Sequence, residues 1–198
     1  MSESEPQLVI LAGPNGAGKS TLAPELLRQF GIAEFVNADV IARGLSAFDP
    51  DSAALAAGRV MLARLKSLAA MRVSFAFETT LATRSFAPWL HELDESGYQI
   101  RIFFVWLADP ALCVERVAKR VRSGGHHVPP DTVHRRYQRG VQNFMALYRP
   151  LAESWGVFDN TAGPAPRLLA KGSRMTVTEI KDPDRWRQLT NSLDPSDR

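Results

Sequence analysis

The 198-residue sequence has one cysteine, no long apolar run and few lysines. A single cysteine excludes both a disulfide within the chain and a zinc site built from cysteines. Cys113 lies in an apolar helical stretch, where we expect a buried small side chain rather than a reactive thiol. No apolar run approaches the roughly 18 residues of a membrane span, and the polar residues 1–6 contain no apolar signal region. We therefore expect a cytoplasmic protein with no membrane partner.

Most of the basic residues are arginine rather than lysine. The net charge is only +3, yet 19 of the 24 basic residues are arginine. Because the planar guanidinium group binds phosphate and carboxylate through two hydrogen bonds, this bias favours recognition of such anions. The overall composition, 45% hydrophobic and 23% charged, is that of one ordinary globular domain.

The strongest motif is Gly-Pro-Asn-Gly-Ala-Gly-Lys-Ser at residues 13–20. It follows a predicted strand over residues 8–12 and precedes a predicted helix, the context in which a G-x-x-x-x-G-K-[ST] loop binds phosphates. Backbone N–H groups and the helix N-terminus would surround the phosphates, Lys19 would reach the β- and γ-phosphates, and Ser20 would bind Mg²⁺. The predicted ATP-binding residues of this loop are Gly13, Pro14, Asn15, Gly16, Ala17, Gly18, Lys19, Ser20 and Thr21.

Strands and helices alternate along the chain, which predicts a parallel sheet covered on both faces. The predicted strands cover residues 8–12, 34–39, 73–77, 98–107 and 155–159. We expect an α/β, three-layer P-loop NTPase fold with a five-stranded, mostly parallel sheet of nucleotide-kinase type and a helical lid. Residues 1–6 would be a polar tail, 7–162 the kinase domain, and 163–198 a C-terminal extension with a hairpin and a short helix. A helix over residues 53–70, capped by Asp51 or Ser52, is expected to bury Leu55, Val60, Leu62, Leu65 and Leu68.

Polar residues follow two of the predicted strands at the sheet edge where ligands gather in such folds. Asp39 is either the base that accepts a proton from an attacking hydroxyl or only a helix N-cap. Glu78 would hold substrate hydroxyls or a metal-bound water, or else only pair with an arginine. Thr79 and Thr80 supply hydroxyl and N–H groups to bind substrate. Asp109 follows an apolar run, as a Walker B aspartate does, but an Asp-Pro helix start favours capping.

Arginines are concentrated in residues 116–139, in two predicted helices joined by Gly124 and Gly125. We predict a lid whose glycine hinge lets the guanidinium groups close over the triphosphate. A solvated basic pair of helices or a nucleic-acid patch is the alternative, although no aromatic residues are interleaved for base stacking. His126 and His127 lack cysteine or acidic partners for a metal, so we expect His126 to contact substrate or lid.

Together these pieces resemble the zeta-toxin family of phosphate-loop kinases, and within it the chromosomal branch described as predicted ATPases. The resemblance covers about residues 7–160 and rests on the phosphate loop, Val36–Asp39, Phe77–Leu81, the Arg116–His126 segment and Asp159–Asn160. It implies ATP and Mg²⁺ as cofactors, Asp39 as general base, and substrate contacts from Glu78, Thr79 and Thr80. From the candidates Arg116, Arg120, Arg122, Arg135 and Arg136 we select Arg120 and Arg135 as catalytic, and Arg122 with Asn160 as ATP-binding.

The expected activity is transfer of the γ-phosphate of ATP to a hydroxyl of a small metabolite. The family resemblance implies UDP-N-acetylglucosamine or a related sugar nucleotide, and a toxin that an antitoxin protein restrains. A kinase of another nucleotide-like substrate, such as a dinucleotide cofactor, is a second hypothesis. A nucleotide-dependent switch or nucleic-acid-binding NTPase is a third.

Overall fold

The computed structural model describes residues 5–125, 127–162 and 165–191. The strands are β1 Gln7–Ala12, β2 Glu34–Val36, β3 Phe75–Thr79, β4 Gln99–Trp106, β5 Ser154–Asp159, β6 Arg167–Ser173 and β7 Thr176–Ile180. The helices are α1 Lys19–Phe30, α2 Ala38–Leu45, α3 Ala54–Ala70, α4 Phe86–Glu95, α5 Pro110–Arg122, α6 Pro130–Asn143 and α7 Pro183–Asn191. A π-helical turn, Phe144–Tyr148, and a 3₁₀ turn, Arg149–Leu151, follow α6. None of these helices is long and apolar enough to cross a membrane.

One sheet of seven strands runs through the described chain in the order β2-β3-β1-β4-β5-β6-β7. The first five strands in this order pair in parallel, as the alternation of strands and helices predicts. The expectation of only five strands is corrected, because the C-terminal hairpin adds β6 antiparallel to β5 and β7 antiparallel to β6. The hairpin therefore extends the main sheet rather than forming a separate appendage.

The core lies between the central strands and the helices that cover them. The side chains of Leu8, Ile10, Phe77, Ile102 and Phe104 are fully buried. Central parallel strands are apolar on both faces because helices pack on each side of the sheet. This arrangement brings the carboxyl ends of β1, β3 and β4 to one edge, where the loops that carry polar residues meet.

Helix α3 buries a different stripe from the one expected. Its buried residues are Ala57, Met61, Leu65 and Leu68, whereas the side chains of Leu55, Val60 and Leu62 are exposed. A helix buries residues three and four positions apart, and only Leu65 and Leu68 of the expected set belong to that stripe. The expected caps are also wrong, since Ala53 is the N-cap and no side chain caps the helix.

The glycine pair after α5 forms a helix cap. Gly124 adopts φ +81°, and its N–H donates to the Val121 carbonyl while the Gly125 N–H donates to the Arg120 carbonyl. These two bonds form a Schellman motif, which satisfies carbonyls that α5 would otherwise leave unpaired. Buried residues also anchor both helices: Cys113 and Val117 on α5, and Val133, Tyr137 and Val141 on α6.

Candidate active site

The phosphate loop lies between β1 and α1 in a conformation that requires glycine. Gly13, Gly16 and Gly18 have φ values of +133°, +79° and +95°. A Cβ on Gly13 would lie 2.1 Å from the Val105 carbonyl oxygen, and one on Gly18 would lie 2.6 Å from the Asn160 amide nitrogen. The loop thus turns tightly against its neighbours. The first amides of α1, at Lys19 and Ser20, have no acceptor within their own helix and are suited to bind phosphate oxygens.

Lys19 is held within this loop by its own backbone. The Nζ atom donates to the carbonyl oxygens of Gly13 and Pro14, both at 2.9 Å, and lies 3.6 Å from Glu78 Oε1. Burial lowers the pKa of Lys19, while the nearby carboxylates of Glu78 and Asp39 oppose that shift. The negative groups around the ammonium therefore favour its charged form, the form that binds a phosphate.

Glu78 connects three site residues at the end of β3. Its Oε2 accepts a hydrogen bond from the Ser20 hydroxyl at 2.9 Å and another from the Asn37 side-chain amide at 3.0 Å. The described partners of Glu78 are thus Lys19, Ser20 and Asn37 rather than an arginine. A carboxylate beside the loop serine is the oxygen-donor set that Mg²⁺ prefers. Ser20 and Glu78 therefore fit a magnesium ion that accompanies ATP.

Asp39 lies in the first turn of α2, beyond the end of β2. The residue that caps α2 is Asn37, whose side-chain oxygen accepts from the N–H groups of Asp39 and Val40. The capping interpretation of Asp39 is therefore wrong, and its carboxylate is available for another role. Asp39 Oδ2 lies 3.9 Å from Nη1 of Arg120 on α5. Asp109, in contrast, caps α5 by accepting from the Ala111 N–H, as expected.

Two cavities adjoin the phosphate loop. The larger, about 820 Å³, is lined by Gly16, Gly18, Thr21, Arg116, Phe158 and Asn160, among others. The smaller, about 230 Å³, is lined by Lys19, Asp39, Glu78, Thr79, Thr80 and Arg136, among others. We refer to them as the loop-side cavity and the Asp39 cavity. Different residues of the phosphate loop form part of each wall, Gly16 and Gly18 in the loop-side cavity and Asn15 and Lys19 in the Asp39 cavity.

The five candidate arginines occupy different positions. Arg116 donates to the Asn160 carbonyl at 2.8 Å and lines the loop-side cavity. Arg136 lies 3.5 Å from the Asn15 side-chain oxygen and lines the Asp39 cavity. Burial lowers the pKa of Arg136, and Asp39 opposes the shift. Arg135 is exposed and donates to Thr132, and neither it nor Arg122 lines either cavity.

Asn160 secures the far side of the loop, since its side-chain amide donates to the Ala17 carbonyl at 2.8 Å. Sequence reasoning missed Asn37, and it named Arg136 as a candidate without selecting it. The Asn-x-Asp spacing at residues 37–39 was the available signal for Asn37, because asparagine favours N-caps.

His126, expected to contact substrate, lies outside the described residues. Cys113 is buried as expected, and burial raises the pKa of its thiol to about 12.

Comparison with known proteins identifies the family. Residues 8–144, more than two thirds of the chain, match the family model described as AAA domain. The chain belongs to this family. One similar sequence is an uncharacterized protein of Haemophilus influenzae, strain Rd, which is 27% identical to this chain over 129 residues. The matched region covers 65% of this chain and 91% of the relative.

Solved structures show how widely this AAA-domain chain shares its fold. It superposes on the AvrRxo1-ORF1:AvrRxo1-ORF2 complex with sulphate ions with a TM-score of 0.77 and 13% identity, over 98% of this chain and 66% of that chain. An ATP-bound structure of the same complex gives a TM-score of 0.75. The PezAT chromosomal toxin-antitoxin system of Streptococcus pneumoniae gives a TM-score of 0.62 and 14% identity. That match covers 97% of this chain and 86% of the PezAT chain. The chain thus spans just under two thirds of the matched AvrRxo1 chain, and the expected likeness to zeta-toxin-type P-loop kinases is confirmed in its fold.

Proposed function

We propose that the protein is an ATP-dependent kinase of a small hydroxyl-bearing metabolite. The observation that carries the proposal is that Asp39, a carboxylate without a capping role, shares a cavity with the phosphate-loop Lys19. A donor bound in the loop-side cavity and an acceptor bound in the Asp39 cavity would meet at the phosphate loop, beside Lys19. The ATP-bound AvrRxo1 complex, which has the same fold, supports ATP as the donor.

Each cavity would then hold one substrate. At about 820 Å³ the loop-side cavity is within the range of roughly 300–1,000 Å³ typical of ligand pockets, so it would hold the nucleoside of ATP beside Arg116 and Asn160. The Asp39 cavity, about 230 Å³, would hold only the part of the acceptor that bears the reacting hydroxyl. Thr79 and Thr80 would bind that part from the end of β3.

In this mechanism Asp39 would orient the acceptor hydroxyl and accept its proton as the oxygen attacks the γ-phosphorus. Lys19, Arg120 and Arg136 would stabilise the negative charge that spreads over the transferred group. Magnesium, held by Ser20 and Glu78, would neutralise charge on the phosphates of ATP. Because α5 and α6 are anchored in the core, we propose that closure of the lid consists mainly of movement of the arginine side chains.

The acceptor we propose is UDP-N-acetylglucosamine or a related sugar nucleotide. The zeta-toxin-like motifs and the size of the Asp39 cavity support it, since a sugar ring would enter while the nucleotide part stayed outside. By the same likeness we propose toxicity and an antitoxin protein partner. Growth arrest on induced expression, absent for Asp39→Asn, would support the toxin role, and normal growth of cells that contain the active protein would contradict it.

Transfer of labelled phosphate from ATP to a pooled metabolite extract tests the kinase activity. Asp39→Asn should keep ATP affinity and slow transfer by about 10²- to 10⁴-fold, because only the proton acceptor is lost. Lys19→Ala should weaken ATP binding as well. Near-normal transfer by Asp39→Asn would overturn the assigned role of Asp39. ATP turnover that rises only with added nucleic acid would overturn the proposed function.

A further inference from the structure

Residues 79–83, which we call the acceptor loop, connect β3 to the turn before α4 and are held in an unusual backbone conformation. Leu81 is fully buried and has φ +54°, a left-handed value that costs a non-glycine residue free energy. The Leu81 N–H donates to the Thr79 hydroxyl at 3.1 Å. Since Thr79 and Thr80 line the Asp39 cavity, the shape of this loop decides where their hydroxyl groups lie.

Contacts with α6 and the turn after it fix that shape. A Cβ on Gly140 would lie 2.5 Å from the Thr80 carbonyl oxygen, so the helix backbone lies directly against the loop. The buried side-chain amide of Asn143 donates to the Leu81 carbonyl at 2.8 Å. The Tyr148 hydroxyl donates to the Thr83 carbonyl at 2.5 Å. Burial raises the pKa of Tyr148 to about 12, so this hydroxyl keeps its proton at neutral pH.

The π-helical turn explains how both side chains reach the same loop. On an α-helix, residues five apart point about 140° away from each other. In the Phe144–Tyr148 turn the Arg149 N–H instead bonds to the Phe144 carbonyl, five residues back. This wider turn returns residue 148 to the side of the helix that carries residue 143. Short π-helical segments are frequently found at functional sites.

The same helix also reaches the phosphate loop. Arg136, one turn before Gly140, extends to within 3.5 Å of the Asn15 side-chain oxygen. Helix α6 therefore contacts the acceptor loop and the phosphate loop at once. We propose that Asn143 and Tyr148 are positioning residues, which set acceptor affinity by fixing the acceptor loop against α6. This inference rests on the proposed kinase function.

The kinetic test uses Asn143→Leu and Tyr148→Phe with labelled ATP and a titrated metabolite extract. Each variant should raise the half-saturating extract concentration roughly tenfold, because small displacements of binding groups are costly, and should change the ATP concentration for half-maximal rate little. Tyr98→Phe is the matched control, since the Tyr98 hydroxyl donates to the Val73 carbonyl. Val73 lies just before the start of β3, at the end of the strand away from the acceptor loop. The proposal would be overturned if Tyr98→Phe raised the half-saturating extract concentration equally, or if the two variants left that concentration unchanged. An equal loss of ATP affinity in the two variants would also overturn it.

Hydrogen exchange of the full-length protein provides a readout that needs no acceptor. In Asn143→Leu the amides of residues 81–85 should exchange faster, while those of β1 and α1 should match the wild type. Unchanged exchange in the acceptor loop would overturn the positioning role. A wild-type protein that transfers phosphate to no component of the extract would overturn the proposed function instead, and selective exchange in Asn143→Leu would then still support the positioning role.

Discussion

Two adjacent arginines on α6 illustrate how little sequence spacing alone says about a side chain. Arg136 lines the Asp39 cavity, whereas Arg135 is exposed and bonds to Thr132 on its own helix. Neighbouring residues on a helix point about 100° apart, so only one of them can face a given cleft. The selection of Arg135 from the sequence remains a prediction, but the geometry favours Arg136.

Substituting each arginine in turn compares the two positions directly. Arg136→Ala should lower the catalytic rate about 10²-fold, because a half-buried cation beside the transferred group stabilises charge that appears in the transition state. Arg135→Ala should leave the rate within about twofold and serves as the matched control. The measurement is the rate of phosphate transfer at saturating ATP. A larger effect of Arg135→Ala would contradict this assignment.

At this scale the sequence predicted the glycine-dependent conformation of the phosphate loop, because the backbone there has positive φ at Gly13, Gly16 and Gly18. It predicted less well what Asp39 and Glu78 contact. Asp39 does not cap α2 because the helix begins at Ala38, which places Asn37 at the cap position. The partners of Glu78 come from β1–α1 and from the start of α2, far apart in the chain, so no local pattern reveals them.

Glycines within helices allow a test at the scale of elements. Gly140→Ala should destabilise the protein, because its Cβ would lie 2.5 Å from the Thr80 carbonyl oxygen. The control is Gly58→Ala in α3, where the added Cβ meets nothing within 4 Å. In that variant the free energy of unfolding should rise by up to about 1 kcal/mol, the ordinary advantage of alanine over glycine in a helix. Urea unfolding measures both, and stabilisation by Gly140→Ala would show that α6 does not press on the acceptor loop.

The helices also show which elements a sequence predicts well. Local signals mark the bounds of α4 and α5, since Gly97 follows the end of α4 and the Asp109-Pro110 pair begins α5. The buried face of α3 was predicted wrongly because the expected set left out Ala57 and Met61, which share the buried stripe with Leu65 and Leu68. No local pattern in the sequence predicted the π-helical turn after α6.

For the molecule as a whole, the C-terminal hairpin and α7 are integrated with the sheet. Trp155 of β5 stacks on Trp186 of α7, with ring centroids 6.0 Å apart. Arg174, between β6 and β7, pairs with Asp94 of α4 at 2.8 Å. The sequence predicted the hairpin itself, but not that it would pair with β5, because strand pairing depends on contacts that local patterns do not encode.

Shortened chains test this integration. A chain that ends at residue 162 should unfold roughly 10 °C or more below the full-length protein, because Trp155 would lose its cover and β5 its neighbour. A chain that ends at residue 181 loses α7 alone and should fall between the two. Circular dichroism during heating gives the midpoints. Equal midpoints would show that residues 163–198 do not stabilise the rest of the sheet.

Strand β7 lies at the outer edge of the sheet, and its charges affect how the protein behaves in concentrated solution. Glu179 pairs with Lys171 on β6 and with Lys181 just beyond β7, and hydrogen bonds from both lower its pKa to about 2. The Glu179 carboxylate therefore keeps its charge from mildly acidic to neutral pH. A second sheet that approached this edge would have to desolvate three fixed charges before it gained any backbone hydrogen bond, which disfavours edge-to-edge aggregation.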